Sequence, residues 1–238
     1  MSTQVSEVFC SVQGEGTYVG VRQAFIRFVG CNLRCSYCDT PTDNVSHCQF
    51  EKEPGSGEFE AIPNPLSLKN IEDMVSSYQN IHSVSLTGGE PLLHSDFIEQ
   101  LDVHPPLYLE TNMTLPSNAK QIAKKISYVA GDVKLPGEFE GDDLGSHMDS
   151  TIECFRILRT TKERDCFCKL FITKDADAEY ILDIVDEISD YISCAVLQPV
   201  TQKAAASDVR SLLELQDRLL QNINTLIIPQ THKMWGCL

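Results

Sequence analysis

The sequence predicts an α/β fold, a parallel sheet able to wrap into an open, partial (β/α)6 barrel with reduced helical content. Three observations carry this. Six short apolar segments read as strands, over residues 24–29, 83–86, 107–110, 128–132, 167–173 and 193–198. Helical periodicity lies between several of them. Leu68, Ile71, Met74, Val75 and Tyr78 follow it behind a capping Ser67, residues 178–192 place Ile181, Ile184, Val185 and Ile188 on one face, and 208–223 reads the same way. The stretches between Glu90 and Tyr128 are short, so any helix there must be brief or missing. Repeated strand–helix units favour parallel strands with functional loops at their C-terminal ends.

The 238 residues are 42% hydrophobic, enough for a sizeable core, and no linker or internal repeat divides the expected single domain over 1–238. Nineteen Lys and Arg against 34 Asp and Glu give a net charge of −15. Such a surface repels phosphate backbones, so nucleic-acid binding over a broad face is not expected, although a small basic pocket for one anionic substrate is compatible with it. No stretch approaches the roughly 20 apolar residues of a membrane span, and no charged-then-apolar signal pattern opens the chain. No membrane association and a cytoplasmic location are expected.

Ten cysteines in a chain of this size, without a secretion signal, point to metal or redox chemistry rather than a disulfide framework. Cys10, Cys48, Cys154, Cys194 and Cys237 are scattered and read as small buried hydrophobes. Cys166 and Cys168 alternate within a strand-like run, on one face, without two further ligands. Cys31, Cys35 and Cys38 differ. They spell C-x3-C-x2-C on the loop that follows the first predicted strand. Three thiolates on one loop can hold three corners of a cubane. Iron–sulfur clusters usually take four cysteines, so three leave one iron open to an outside ligand. The spacing also admits a structural zinc site completed by Cys48 or His47.

A second motif, Ser85-Leu86-Thr87-Gly88-Gly89-Glu90-Pro91, follows the second predicted strand. Adjacent glycines let a ligand approach the backbone, and the Glu90 carboxylate can accept bonds from an ammonium group. With Tyr37 placed before the third cysteine, the two motifs resemble the radical S-adenosylmethionine (SAM) superfamily. The resemblance implies a radical SAM barrel and a 4Fe–4S cluster held by Cys31, Cys35 and Cys38. The amino and carboxylate groups of SAM would chelate the open iron, and one electron would split the sulfonium to a 5′-deoxyadenosyl radical.

Smaller patches resemble the 7-carboxy-7-deazaguanine synthases within that superfamily. These are Ser11-Val12-Gln13-Gly14-Glu15-Gly16-Thr17, Arg22-Gln23-Ala24-Phe25-Ile26-Arg27, Asp39-Thr40, Glu110-Thr111-Asn112, Gln198-Pro199-Val200 and Pro229-Gln230-Thr231-His232-Lys233. They span nearly the whole chain, and the last is the most discriminating. The resemblance implies 6-carboxy-5,6,7,8-tetrahydropterin as substrate and 7-carboxy-7-deazaguanine plus ammonia as products. Hydrogen abstraction from C6 would precede ring contraction, with magnesium assisting and SAM regenerated. It implies SAM contacts at Tyr37, Cys38, Asp39, Gly89, Glu90, Asp132, Val133, Lys134 and Gln198, and magnesium on Thr40. Substrate contacts are implied at Val12, Gln13, Gly14, Glu15, Arg27, Thr87, His232 and the terminal carboxylate of Leu238. A flavodoxin or ferredoxin electron donor and a homodimer are implied too.

Some of these assignments also have a physical basis. A pterin carboxylate suits a planar cation, which Arg27 supplies if it points inward from its apolar strand; alternation leaves the outer face open. Glu15 and the backbone of residues 12–14 offer acceptors for pterin N–H groups. The chain departs from the family pattern at Met113, where Gly usually follows Thr-Asn, and at Asp132 and Val133, which replace Ser and Pro before Lys134. Residues 43–66, rich in Pro, Gly, Ser and Glu, read as a long surface excursion where a short loop is usual. Two rival readings remain. An activase that installs a glycyl radical on a partner protein would share both motifs without needing Arg27 or His232, and a zinc-binding protein would use the cysteines structurally.

Overall fold

Alternation of apolar residues starts the chain in strand β1 (Val5–Val12), which pairs antiparallel with β2 (Arg22–Phe28). The computed structural model describes residues 1–36, 38, 43–139, 144–200 and 207–236. Two further strands, β3 (His47–Phe50) and β4 (Glu60–Pro63), form a hairpin. Apart from a small antiparallel pair of Ser2–Thr3 with Leu66–Ser67, the other strands are β5 (Ser83–Gly88), β6 (Leu107–Thr111), β7 (Ile126–Val133), β8 (Asp165–Ile172), β9 (Ala195–Pro199) and β10 (Thr225–Ile227). β1 to β10 join one sheet in the order β10-β9-β8-β7-β6-β5-β2-β1-β3-β4. From β2 to β10 every neighbouring pair is parallel. All six predicted strands occur in that parallel run.

The stretch at 43–66 departs from its expected form. Instead of a surface excursion it extends the sheet, with β3 parallel to β1. Cys48 and Phe50 are buried between exposed His47 and Gln49, a two-residue alternation too short to stand out among Pro, Gly and Glu.

Helices connect the parallel strands. Ser67 caps α1 (Leu68–Ser76) in a reciprocal box with Asn70, and Ile71, Met74 and Val75 are buried. The segments expected to be short hold α2 (Ser95–Gln100) and α3 (Pro116–Ile122). Longer crossovers carry α4 (Leu144–Leu158), α5 (Ala178–Ile188) and α6 (Val209–Leu219), and α7 (His232–Trp235) follows β10. Ile181, Ile184, Val185 and Ile188 form the buried face of α5, as their spacing predicts.

The pleat divides β8 between two environments. Cys166, Cys168, Leu170 and Ile172 face the helices and belong to the main core. Phe167 belongs to a smaller inner cluster with Tyr108, Ala130, Cys194 and Val196. Tyr18 fills this inner space near the strands' N-terminal ends, edge-on to Tyr108 and Tyr128, with its hydroxyl donating to Asp165 Oδ2 at 2.8 Å. Gly16 allows that entry. Its φ is +65°, and a Cβ would lie 2.5 Å from the Phe167 ring. With the N-terminal end plugged, the free space lies at the strands' C-terminal ends.

Met113, on the loop after β6, keeps the left-handed backbone its family position favours (φ +57°) although it is not Gly. It is fully buried, and packs against Gly131, where a Cβ would fall 3.0 Å from Met113 Cγ. Left-handed backbone costs a non-Gly residue about 1–2 kcal/mol, whereas losing a buried Met side chain costs about 2–5 kcal/mol. Met113→Gly is therefore expected to lower stability by about 1–3 kcal/mol in urea denaturation despite the relieved backbone. A more stable variant would mean that strain outweighs packing there.

Candidate active site

The C-terminal ends of the strands surround a cavity of about 630 Å³, within the range of roughly 300–1,000 Å³ typical of small-molecule sites. Cys31, Cys35 and Cys38 form part of its wall. Their loop is tied down from outside. Ser36 N donates to Glu138 O at 2.8 Å, Cys35 forms an isolated bridge with Phe139, and Cys38 N donates to Cys35 O. Cys31 Sγ accepts from Leu33 N at 3.4 Å and from Asn112 Nδ2 at 3.8 Å.

The glycine motif lies beside this loop because β2 and β5 are parallel neighbours, with Phe28 opposite Gly88. A Cβ at Gly88 would come within 2.3 Å of Phe28 O, and one at Gly89 within 1.9 Å of Gly30 O. These glycines thus admit the backbone of the cysteine loop as well as facing the cavity. Gly89 N and Glu90 N donate to Phe28 O and Gly30 O.

Glu90 is not the open acceptor that the sequence suggested. It is fully buried behind the cavity wall, and its carboxylate already accepts from Leu92 N, Thr111 Oγ1 and Asn112 N at 2.8–2.9 Å. Since Asn112 also reaches Cys31, Glu90 steadies the cysteine loop indirectly. Val133 is corrected likewise: it faces the helical core, while its neighbours Asp132 and Lys134 line the cavity, as alternation along β7 requires. Gln198 is also absent from the wall. It is fully buried beside Glu15, whose carboxyl it helps to hold down. Tyr37, Asp39, Thr40 and Leu238 lie outside the described residues.

Val12, Gln13, Gly14, Glu15, Arg27, Thr87, Gly89, Asp132, Lys134 and His232 all line the cavity. Arg27 points inward, held by Glu7 Oε2 at 2.6 Å and lying 5.6 Å over the Phe9 ring, which stacks on Phe25. Gly14 is pressed against His232; a Cβ there would come within 2.5 Å of the imidazole. Glu15 accepts from Lys169 Nζ and Gln230 Nε2, both at 2.7 Å. Burial pushes the Glu15 carboxyl up, but the Lys169 ammonium and the surrounding donors outweigh that and bring it down to about 2.

Sequence reasoning missed Lys169. Its Nζ also lies 3.2 Å from Asp132 and 3.8 Å from Glu110, and its side chain is 2% exposed. The signal was present: a lysine within the apolar run Cys-Phe-Cys-Lys-Leu-Phe-Ile poses the same question as Arg27 in its strand. Glu110 and Gln230 stood in the quoted patches without an assigned role. Glu110 Oε1 accepts from Gln13 Nε2 and Ser85 Oγ, both at 3.0 Å.

The donor set fits an iron–sulfur cluster. Cys31, Cys35 and Cys38, all from one loop, line the same cavity. In a cubane each thiolate binds a different iron, so thiols spaced around one cavity suit it. Cys48, one proposed fourth zinc ligand, is buried in the main core, and His47 is exposed on β3.

Comparison with known proteins agrees with this arrangement. Residues 25–197 match the model of the radical SAM superfamily. A 7-carboxy-7-deazaguanine synthase from Archaeoglobus fulgidus is 40% identical over 238 residues, covering 99% of both chains. The chain belongs to the 7-carboxy-7-deazaguanine synthase family. A synthase of this family from Geobacter sulfurreducens is 36% identical over 98% of this chain and 97% of its own. Among solved structures, QueE from Escherichia coli shares the fold with a TM-score of 0.57 at 21% identity, covering 95% of this chain and 94% of that one. SuiB from Streptococcus suis, bound to S-adenosylmethionine, gives 0.54 at 16% identity over 83% of this chain and 45% of its own. As a radical SAM enzyme, a 7-carboxy-7-deazaguanine synthase employs a 4Fe–4S cluster and SAM. Among the described residues no helix is long and apolar enough to cross a membrane.

Glu90 has a measurable signature. Burial raises its carboxyl from 4.5 to about 7, with the three hydrogen bonds only partly opposing. The folded protein then retains a proton that the unfolded chain releases near pH 4.5, so this group's contribution to stability falls between about pH 4.5 and 7. Over pH 5 to 8 the loss amounts to about 2–3 kcal/mol. Glu90→Gln, which cannot titrate, should lose that much less across the range in urea denaturation. Parallel pH profiles for variant and wild type would show that Glu90 is ionised throughout.

Proposed function

We propose that this chain converts 6-carboxy-5,6,7,8-tetrahydropterin to 7-carboxy-7-deazaguanine and ammonia. The observation that carries the reading is the sharing of one cavity by the three cysteine thiols, Arg27 and Glu15. The cluster and SAM together supply the carbon-centred radical that starts the reaction. The protein's own residues bind, orient and enclose.

Cys31, Cys35 and Cys38 hold the cluster, and the donors from Leu33 and Asn112 steady the Cys31 sulfur. Gly89, Asp132 and Lys134 stand on the wall nearest the cysteine loop in the fold and form the SAM side. Lys134 Nζ is held 3.1 Å from Asp132 Oδ2. Glu90 positions this side without touching SAM. Gln198, buried beside Glu15, supports that carboxylate from behind, and its contact with SAM rests on the family resemblance.

On the substrate side, Arg27 offers a planar cation for the pterin carboxylate, aligned by Glu7 and the Phe9 face. Glu15, kept ionised, accepts from the donor-rich pyrimidine edge, with Gln13, the backbone at Val12 and Gly14, Thr87 and His232 enclosing the ring. Magnesium on Thr40, closure by Leu238, and SAM contacts at Tyr37, Cys38 and Asp39 complete the reading on the family resemblance. So do a flavodoxin or ferredoxin as reductant and a homodimeric assembly. A glycyl-radical activase has no evident use for Arg27 and Glu15 facing the same cavity as the thiols.

The test is an anaerobic assay of reconstituted protein with SAM, magnesium, a reductant and 6-carboxytetrahydropterin, read by mass spectrometry. 7-Carboxy-7-deazaguanine should form, and Cys35→Ala should abolish it. 5′-Deoxyadenosine without deazaguanine would reject the substrate. Arg27→Lys keeps the charge but loses the fork, and should raise KM for the pterin by about tenfold, the cost of one charge-assisted bond of roughly 1.5 kcal/mol. An unchanged KM would remove Arg27 from the substrate contacts.

A further inference from the structure

The cavity floor is organised around one ammonium group. Lys169 lies on the inner face of β8, directly opposite Asp132 of β7 in the sheet register. Three carboxylates from three separate segments surround it: Glu15, hydrogen-bonded at 2.7 Å, and Asp132 and Glu110, ion-paired at 3.2 Å and 3.8 Å. Each carboxylate passes the connection on. Glu15 reaches Gln230, Glu110 reaches Gln13 and Ser85, and Asp132 reaches Lys134.

We propose that Lys169 is a positioning residue that sets pterin and SAM affinity together, by holding Glu15 and Asp132 at one point shared by the two sides of the cavity. The inference rests on the function proposed above and deepens it. Charge gives the first argument. Without Lys169, three carboxylates would crowd a buried floor, and repulsion would make at least one take up a proton or swing away. Among the described residues, Lys169 is the only cation paired with Glu15 or Glu110. Its own ionised state is secure: burial disfavours the charge, but Asp132, Glu15 and Glu110 outweigh it and raise the pKa well above the ordinary lysine value.

Mechanical reach gives the second argument. Glu15 stands on the loop after β1, where its backbone N donates to Gln13 Oε1. Lys169 belongs to a strand paired on both sides. The ion pair therefore ties a loop carboxylate to the stiffest part of the sheet, the condition for a preorganised contact. The net charge points the same way. Lys169 and Lys134 against three carboxylates leave the floor negative, suited to N–H donors, while Arg27 supplies the positive partner for the carboxylate of the same substrate.

The experiment is calorimetric titration of reconstituted Lys169→Met and wild type with 6-carboxytetrahydropterin and, separately, with SAM. The variant should bind the pterin at least tenfold and SAM at least threefold more weakly, and Lys169→Arg, which keeps the charge, should lose less of both. If Lys169→Met does not fold, the double variant Lys169→Met with Asp132→Asn has one buried carboxylate fewer. It should regain melting temperature but not pterin affinity. A purely structural lysine would lower the melting temperature and leave affinity alone. Binding of both ligands within twofold of wild type by Lys169→Met, or of the pterin by the double variant, overturns the proposal. The substrate reading is judged by the wild type. If that protein binds SAM but no pterin, the reading fails on its own, and the SAM titrations still decide on Lys169.

Discussion

Everything at the catalytic end of the molecule depends on how closely two backbones approach where β2 and β5 run out of the sheet. Parallel pairing carries Phe28 alongside Gly88, and the two chains stay hydrogen-bonded one step further through Gly89 and Glu90. A side chain at either glycine would collide with a carbonyl of the opposite chain. The cysteine loop and the glycine loop are thus fixed relative to one another by main-chain contacts, before any ligand contributes. Glu90 reinforces the junction from behind. Its buried carboxyl draws the turn at Leu92 and the loop at Thr111 and Asn112 onto the same point, at the electrostatic cost of keeping an acid out of water.

The opposite wall is organised by charge instead of backbone. Glu15 and Lys169 are both deeply placed, and neither would be stable there alone. Their mutual stabilisation makes it possible to keep a full negative charge at the base of an apolar-sided cavity whose walls include Phe9, Phe25 and Phe171. Arg27 is treated differently. It keeps partial exposure and, among the described residues, a single carboxylate partner, with its plane set by Phe9. One cation is spent on shaping the floor and the other remains disposed toward a ligand.

Much of this was readable in the sequence, and the unreadable parts have physical reasons. The cysteine loop, the Gly-Gly pair and the six parallel strands are local patterns, and each spacing implies its geometry. The strand β1 and the hairpin of β3 and β4 were missed because β1 alternates imperfectly, with a register shift near its start, and the hairpin strands are only four residues long. Glu90 was placed wrongly because a motif identifies a carboxylate but not the donors that will occupy it. Val133 erred by one residue of pleat, since adjacent residues on β7 face opposite environments. Lys169 was visible as an oddity in an apolar run, but its three partners come from positions 15, 110 and 132, and only the folded chain brings them together.

The contact between the tail and the β1 loop has a further consequence. Thr231 donates to Gly14 O through both its backbone and its hydroxyl, and Gln230 grips Glu15 across 215 residues of chain. A four-residue helix such as α7 has no useful stability of its own, so its order is borrowed from the loop it rests on. The loop at Gly14 and Glu15 and the segment at 230–236 are therefore braced against each other by these bonds. A change made on either side of this seam, 215 residues apart in sequence, is thus a change to a contact that both sides share.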